Sequence, residues 1–328
     1  MRRREFIGLA GGVAAWPLVA KAQPDGQMRR IGVLVGGTEG DPQLTKYLEA
    51  LGSGLRQLGW IAGQNIQIDY RWARGDIGRA RSLAKEMVST LPALILTTGT
   101  EPALALRETT ATVPVVFINV TDPVAGGFVA SLARPAGNIT GFTPFEYDIG
   151  GKWLGLLKDM SPRLTRVAML GDPVNHNFRG FKTSFETAAR SLSVEPFSIA
   201  VHGPEDIERE VGSFAAEGGG GLIVTAATFS TVHRDLIVNL ANTRKLPAIY
   251  WNSFQVAAGG LMSYGPDTAE LYRSSATYID RILKGEKPAD LPVQGPTKVE
   301  LTINARTAKA IDLVVPPALL ARADEVIE

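Results

Sequence analysis

Arg30-Ile31-Gly32-Val33-Leu34-Val35, followed after a short break by a helix-period stretch from Gln43 to Gly59, decides the fold class. A short β-rich apolar run that leads into a longer amphipathic segment is the opening of a β-α unit, and here the unit recurs. Ile66 to Trp72 alternates apolar and polar residues as a strand near a sheet edge does, and a helix is predicted from Gly78 to Leu91. Ala93 to Thr98 and Pro114 to Asn119 are further apolar runs, separated by a short helix over Glu101 to Thr109. Four such units predict a mostly parallel α/β sheet.

The pattern restarts after Gly137-Asn138-Ile139-Thr140-Gly141. Helices are predicted at Gly150 to Met160 and Asn177 to Leu192, with strands at Arg166 to Leu170, Glu195 to Val201, Gly221 to Thr225, Pro247 to Trp251 and Gly260 to Tyr264. A helix from Asp267 to Leu283, a strand from Lys298 to Asn304 and a helical tail complete the chain, as pieces exchanged between two lobes. The expected architecture is α/β, with two doubly wound parallel-sheet lobes. Residues 28–140 with 265–292 form one lobe, and residues 141–264 with 293–328 form the other.

The first residues are set apart from this pattern. Arg3-Arg4-Glu5-Phe6-Ile7 precedes an apolar run, Gly8 to Ala20, that ends at Ala20-Lys21-Ala22. A charged start, an apolar core and small residues at the end are the layout of an export signal. The run is shorter than a membrane span and is broken by Gly11, Gly12 and Pro17. Residues 1–22 are therefore expected to be a twin-arginine signal, cleaved near Ala22, that leaves a soluble periplasmic protein. The chain has no cysteine, which excludes a disulfide framework, a thiolate metal site, a cysteine nucleophile and a lipid anchor on cysteine. Removing residues 1–22 moves the formal charge from +1 to about −2, so no basic surplus remains for nucleic acid.

Catalytic constellations are missing from the sequence. The three histidines, His176, His202 and His233, are too far apart for a zinc-binding helix pair, and neither a G-x-S-x-G elbow nor a phosphate loop occurs. No metal, cofactor or catalytic residue is expected.

In doubly wound sheets, ligands bind in the crevice outside the carboxyl ends of the strands. In the first half of the chain those loops carry Thr38 and Glu39, Thr98-Gly99-Thr100, Asn119 and Asp122. In the second half they carry Asp172 and Asn175, Thr225, Trp251 and Asn252, and Tyr264 with Asp267. Hydroxyls and backbone N–H groups around Gly99 suit a carboxylate, while Thr100 alternatively serves only as a helix cap. Asp122 either pairs with a ligand ammonium or caps the segment beyond it. Trp251 and Tyr264 either stack on a ligand ring or pack between the lobes.

Longer motifs add to this reading. Thr121-Asp122-Pro123-Val124, Ser131-Leu132-Ala133-Arg134-Pro135, Gly137-Asn138-Ile139-Thr140-Gly141, Ala258 to Gly265 and Leu319 to Glu325 together resemble the ABC-transporter substrate-binding family related to the tryptophan-binding lipoproteins. So do Ile282-Leu283-Lys284-Gly285 and Lys287 to Pro292. The resemblance implies a type I periplasmic-binding fold with a three-crossing hinge. It also implies a monomeric receptor that closes on an amino acid, an aromatic acid or another small carboxylate and passes it to an inner-membrane permease with its ATPase. Gly141 and the crossings near Tyr264 and Gly295 would absorb the rotation. Trp251-Asn252-Ser253-Phe254 departs from related sequences, many of which place a charged pair before the phenylalanine. Two rival readings share this layout: a sensor domain that presents its ligand to a membrane receptor, and a hydrolase using Glu39, Asp122, Asp172 and Asp267.

Overall fold

The structure, a computed structural model, describes residues 28–171 and 176–328. The export-signal reading of residues 1–22 and the candidates Asp172 and Asn175 lie outside them.

The first sheet is built from β1 (Arg29–Val35), β2 (Ile66–Trp72), β3 (Leu94–Thr98), β4 (Val115–Ile118) and β5 (Ile139–Phe142), all parallel, in the order β2-β1-β3-β4-β5. Its helices in chain order are α1 (Pro42–Gln57), α2 (Ile77–Ser89) and α3 (Thr100–Thr109). The central strands β3 and β4 are buried along their whole length, which is why they read as unbroken apolar runs, whereas edge strand β2 is half exposed and alternates.

The second half begins with α4 (Ile149–Met160), β6 (Arg166–Gly171), α5 (His176–Ser191), β7 (Glu195–Ala200), α6 (Pro204–Ala216) and β8 (Gly220–Val224). It continues through α7 (Thr228–Val232), α8 (Arg234–Thr243), β9 (Ala248–Tyr250), α9 (Ser253–Ala257) and β10 (Met262–Pro266). Two strands from the end of the chain, β11 (Val299–Asn304) and β12 (Glu325–Ile327), finish a seven-stranded sheet in the order β12-β11-β10-β9-β8-β6-β7. Only β10 and β11 pair antiparallel in it.

Two details differ from the sequence reading. Strand β5 pairs with β4 as far as Phe142, so the first sheet runs past Gly141. There a β-carbon would meet the Phe117 backbone at 2.1 Å, and only glycine lets the two strands approach so closely. The tail is not simply helical: after α11 (Ala305–Ala310) and α12 (Pro317–Leu320) it ends in β12, an exposed edge strand paired parallel with β11.

The chain passes between the sheets three times: after β5, after β10, and on the way to β11. Between the last two passes, α10 (Thr268–Leu283) lies against α1 of the first sheet rather than against its own neighbours. Gly54 makes this possible, because a β-carbon there would stand 2.6 Å from the Arg273 carbonyl and 2.9 Å from Ala276 Cβ. The crossings are tied together where Gln294 N donates to Gly141 O at 3.0 Å and Thr143 N donates to Gln294 O at 2.9 Å.

Both sheets share one strand order. β2-β1-β3-β4-β5 and β7-β6-β8-β9-β10 are the same 2-1-3-4-5 winding, in which the chain reverses direction across the sheet between the first and third strands. Each sheet therefore opens a crevice at one place, between β1 and β3 in the first and between β6 and β8 in the second.

Candidate functional site

The two crevices face each other across a pocket lined from both lobes. From the first lobe come Gly36 and Gly37 beyond β1, Thr98 to Glu101 beyond β3, and Asn119 beyond β4. The second lobe brings Asn177, Ala226 to Thr228, Thr231, Trp251 and Phe254. Threonine hydroxyls stitch the strands where each crevice starts. Gly36 N donates to Thr98 Oγ1 at 3.1 Å in one lobe, and Thr225 Oγ1 donates to Leu170 O at 3.0 Å in the other.

Helix α3 starts against this space. Gly99 precedes it at φ 89°, a conformation that suits glycine, and no side chain caps its first N–H groups. Thr100 Oγ1 accepts from Asn177 Nδ2 of the opposite lobe at 2.8 Å, which leaves its own O–H to donate. Asn177 is held in turn by the Tyr147 hydroxyl, which donates to Asn177 Oδ1 at 3.0 Å. Glu101 is the only acidic residue among the described lining residues, and Thr228 Oγ1 donates to its Oε2 at 2.8 Å across the cleft.

The lining is rich in aromatic rings. Tyr47 and Tyr272 stack at 5.2 Å, and Trp251 meets Phe254 edge-on at 5.7 Å. Burial pushes both phenols well above the usual tyrosine range, so they stay neutral donors at ordinary pH. Two polar atoms of the lining have no partner among the described residues, Asn119 Oδ1 and Trp251 Nε1. Buried polar atoms are nearly always hydrogen-bonded, and both of these belong to residues of the lining.

Of the residues singled out from sequence, Thr98, Gly99, Thr100, Asn119 and Trp251 line the cavity. Thr38 and Glu39 are exposed just beyond it, on the same loop as Gly36 and Gly37. Asp122 Oδ1 caps the turn at Ala125, and Thr225 is spent on its strand contact. Asn252 braces the wall from behind: its Oδ1 accepts from Phe254 N and Tyr47 Oη, and its Nδ2 donates to Thr268 Oγ1 at 2.6 Å. Tyr264 offers its carbonyl to Trp153 Nε1, and Asp267 caps α10. Both lie at the second crossing. Thus three of the four carboxylates of the hydrolase reading, Glu39, Asp122 and Asp267, lie outside the lining, and the fourth, Asp172, is outside the described residues.

Glu101 and Thr228 escaped the sequence reading although their loops were marked, because the switch-point rule selects loops and not the residue that turns inward. Tyr47 and Tyr272 sit on helix faces whose spacing reads as core. Among the described residues no group of three histidine or acidic side chains is placed to hold a metal ion, and no helix is long and apolar enough to cross a membrane.

The sequence profile of the ABC transporter substrate binding proteins matches residues 32–327, nearly the whole described chain. The chain belongs to that family. Its two lobes have the type I periplasmic-binding fold. Among curated relatives of this family member, the tyrosine-binding protein of Clostridioides difficile (strain R20291) is 26% identical over 272 residues, covering 83% of this chain and 78% of the relative. An ABC domain from Streptococcus pneumonia solved in complex with L-Trp matches with a TM-score of 0.84 at 24% identity, over 92% of this chain and 100% of the other. A ligand-free, open substrate binding protein from Clostridium difficile, 23% identical, covers 92% of this chain and 99% of its own, with a TM-score of 0.65.

Proposed function

We propose that this substrate-binding protein is the periplasmic receptor of an ABC importer for an amino acid with an aromatic side chain, which it holds between its lobes and delivers to the permease. The observation that carries the reading is the composition of the interlobe cavity. It sets the uncapped start of α3 and the Glu101 carboxylate beside a wall made by Tyr47, Trp251, Phe254 and Tyr272. A zwitterion needs a donor set for its carboxylate and an anion for its ammonium, and a helix N-terminus with one glutamate supplies both. The aromatic wall accepts a ring by stacking and dispersion. The tyrosine named for one relative and the L-Trp bound by another support the same class.

Ligand-driven closure supplies the signal to the permease. The lobes are already bonded across the cleft through Asn177 to Thr100, Thr228 to Glu101 and Arg234 to Asp41. The higher TM-score to the L-Trp complex than to the open relative accords with a closed arrangement. A ligand that touches both lobes shifts the population toward this form by its differential affinity for it. Lobe one is assigned residues 28–140 with 265–292 and lobe two the remainder, with the strand ends moving the two boundaries to Phe142 and Pro266. The rotation is taken up near Gly141, Tyr264 and Gly295, and the exported protein works as a monomer.

A thermal-shift screen of the chain against amino acids, aromatic carboxylates, sugars and purines tests this. At 100 times its Kd a ligand stabilises the native state by about 2.7 kcal/mol. The expected result is a rise in Tm with tyrosine, tryptophan or phenylalanine, each recovered chemically unchanged. A rise only with sugars or purines, or conversion of the ligand, would overturn the reading.

A further inference from the structure

A second interlobe cavity lies beyond Glu101, larger than the first and open to solvent. Thr100 and Glu101 border both spaces, and the Thr228 to Glu101 bond stands between them. The chemistry changes sharply across that partition. The first cavity has no cationic side chain in its described lining, whereas Arg74, Arg81 and Arg107 line the second from one lobe and His202 and His233 from the other. Glu101 is the only carboxylate among the described residues of that lining.

The three guanidinium groups are not equally occupied. Arg81 is engaged by Glu108, with Nε to Oε2 at 2.8 Å and Nη2 to Oε1 at 3.2 Å. Arg107 has no carboxylate partner; it lies over the Phe128 ring at 4.8 Å and donates through Nη1 to Gly126 O at 2.6 Å, which leaves most of its donors unused. Arg74 forms no side-chain hydrogen bond or ion pair among the described residues. It also sits at φ 57°, a left-handed conformation that non-glycine residues rarely adopt, and is fixed there by Arg74 N donating to Gly37 O and Gly75 N donating to Gly36 O. The same backbone bonds anchor the loop that lines the first cavity.

We infer that this second cavity binds a compact polyanion, of the phosphate or polycarboxylate class, between Arg74 and Arg107 of one lobe and His202 and His233 of the other. Planar guanidinium groups match the paired oxygens of such anions, and Arg74 and Arg107 keep donors to spare, with the His202 and His233 imidazoles as hydrogen-bonding groups from the other side. Because the occupant touches both lobes, it stabilises the closed form, and by linkage it tightens the hold on whatever occupies the first cavity.

Calorimetric titration of the purified chain at low ionic strength with inorganic phosphate and, separately, with citrate tests the inference. Saturable binding of one equivalent of either probe is expected. Phosphate alone would indicate a phosphorylated ligand, and citrate alone a polycarboxylate. Arg74→Gly suits the left-handed backbone and removes one guanidinium, so it should weaken binding at least fivefold without lowering Tm. Arg107→Gln should weaken binding similarly. Binding of neither probe, or equal binding by the wild type and both variants, would overturn the inference. Tyrosine titrated into the same samples reports the first cavity separately, so failure here leaves the amino-acid reading standing.

Discussion

Replacing Arg234 with glutamine should loosen the closed form while leaving each lobe intact. Arg234 Nη1 contacts Asp41 Oδ2 at 2.5 Å across the cleft, with the two side chains only 17% and 14% exposed. Asp41 also caps α1, its Oδ1 accepting from Gln43 N at 2.9 Å and Leu44 N at 3.0 Å, so the arginine is the partner that can be changed without unwinding a helix. A hydrogen bond between charged groups contributes about 1.5–3 kcal/mol. The residual exposure puts this one near the lower end, about 1.5–2 kcal/mol. The bond exists only when the lobes meet, so its loss subtracts from closure and not from the folding of either lobe. At 1.4 kcal/mol per factor of ten, the apparent Kd for an aromatic amino acid should rise about 10- to 30-fold. Isothermal titration gives the constant, and small-angle scattering with saturating ligand shows whether the variant still compacts. A Kd within twofold of wild type, with normal compaction, would refute the role of this pair in closure.

Glu101→Gln keeps an acceptor for Thr228 but removes the charge offered to an ammonium. Affinity for tyrosine should fall at least tenfold, while affinity for its deaminated analogue, 3-(4-hydroxyphenyl)propionate, changes less than twofold; equal losses for both would show that Glu101 does not read the amino group. Gly54→Val drives a side chain into the Arg273 carbonyl and Ala276, so it should lower stability by about 1–3 kcal/mol in urea denaturation. An unchanged midpoint would mean that α1 and α10 do not depend on their close approach.

The parallel α/β character, the leading strands and the helices between them were legible because local periodicity carries them. β3 and β4 read as apolar runs because both faces are covered, and α1 reads at its own spacing because one face meets the sheet. The loops around Gly99, Asn119 and Trp251 were legible as lining the crevice because strand order and direction dictate where a doubly wound sheet opens. Residue by residue the reading thinned. Thr225 has the same polar character as Thr228, yet the first is spent on a bond within its own sheet and the second faces across the cleft. That difference is one of side-chain direction, which a loop's composition does not encode.

From the sequence alone came the alternation of elements, the restart of the pattern near residue 141 and the family motifs, all local or contiguous in the chain. Tertiary structure alone brought Tyr272 from α10 onto Tyr47 of α1, 225 positions apart, and Asn177 onto Thr100. It also decided that Glu101 stands, as the single acid among the described lining residues, between one aromatic and one arginine-lined cavity. These arrangements follow from the second crossing, which carries α10 back to the first lobe, and from the closing of two separately folded crevices on each other. Contacts of that kind depend on where distant segments pack, and no local propensity specifies them.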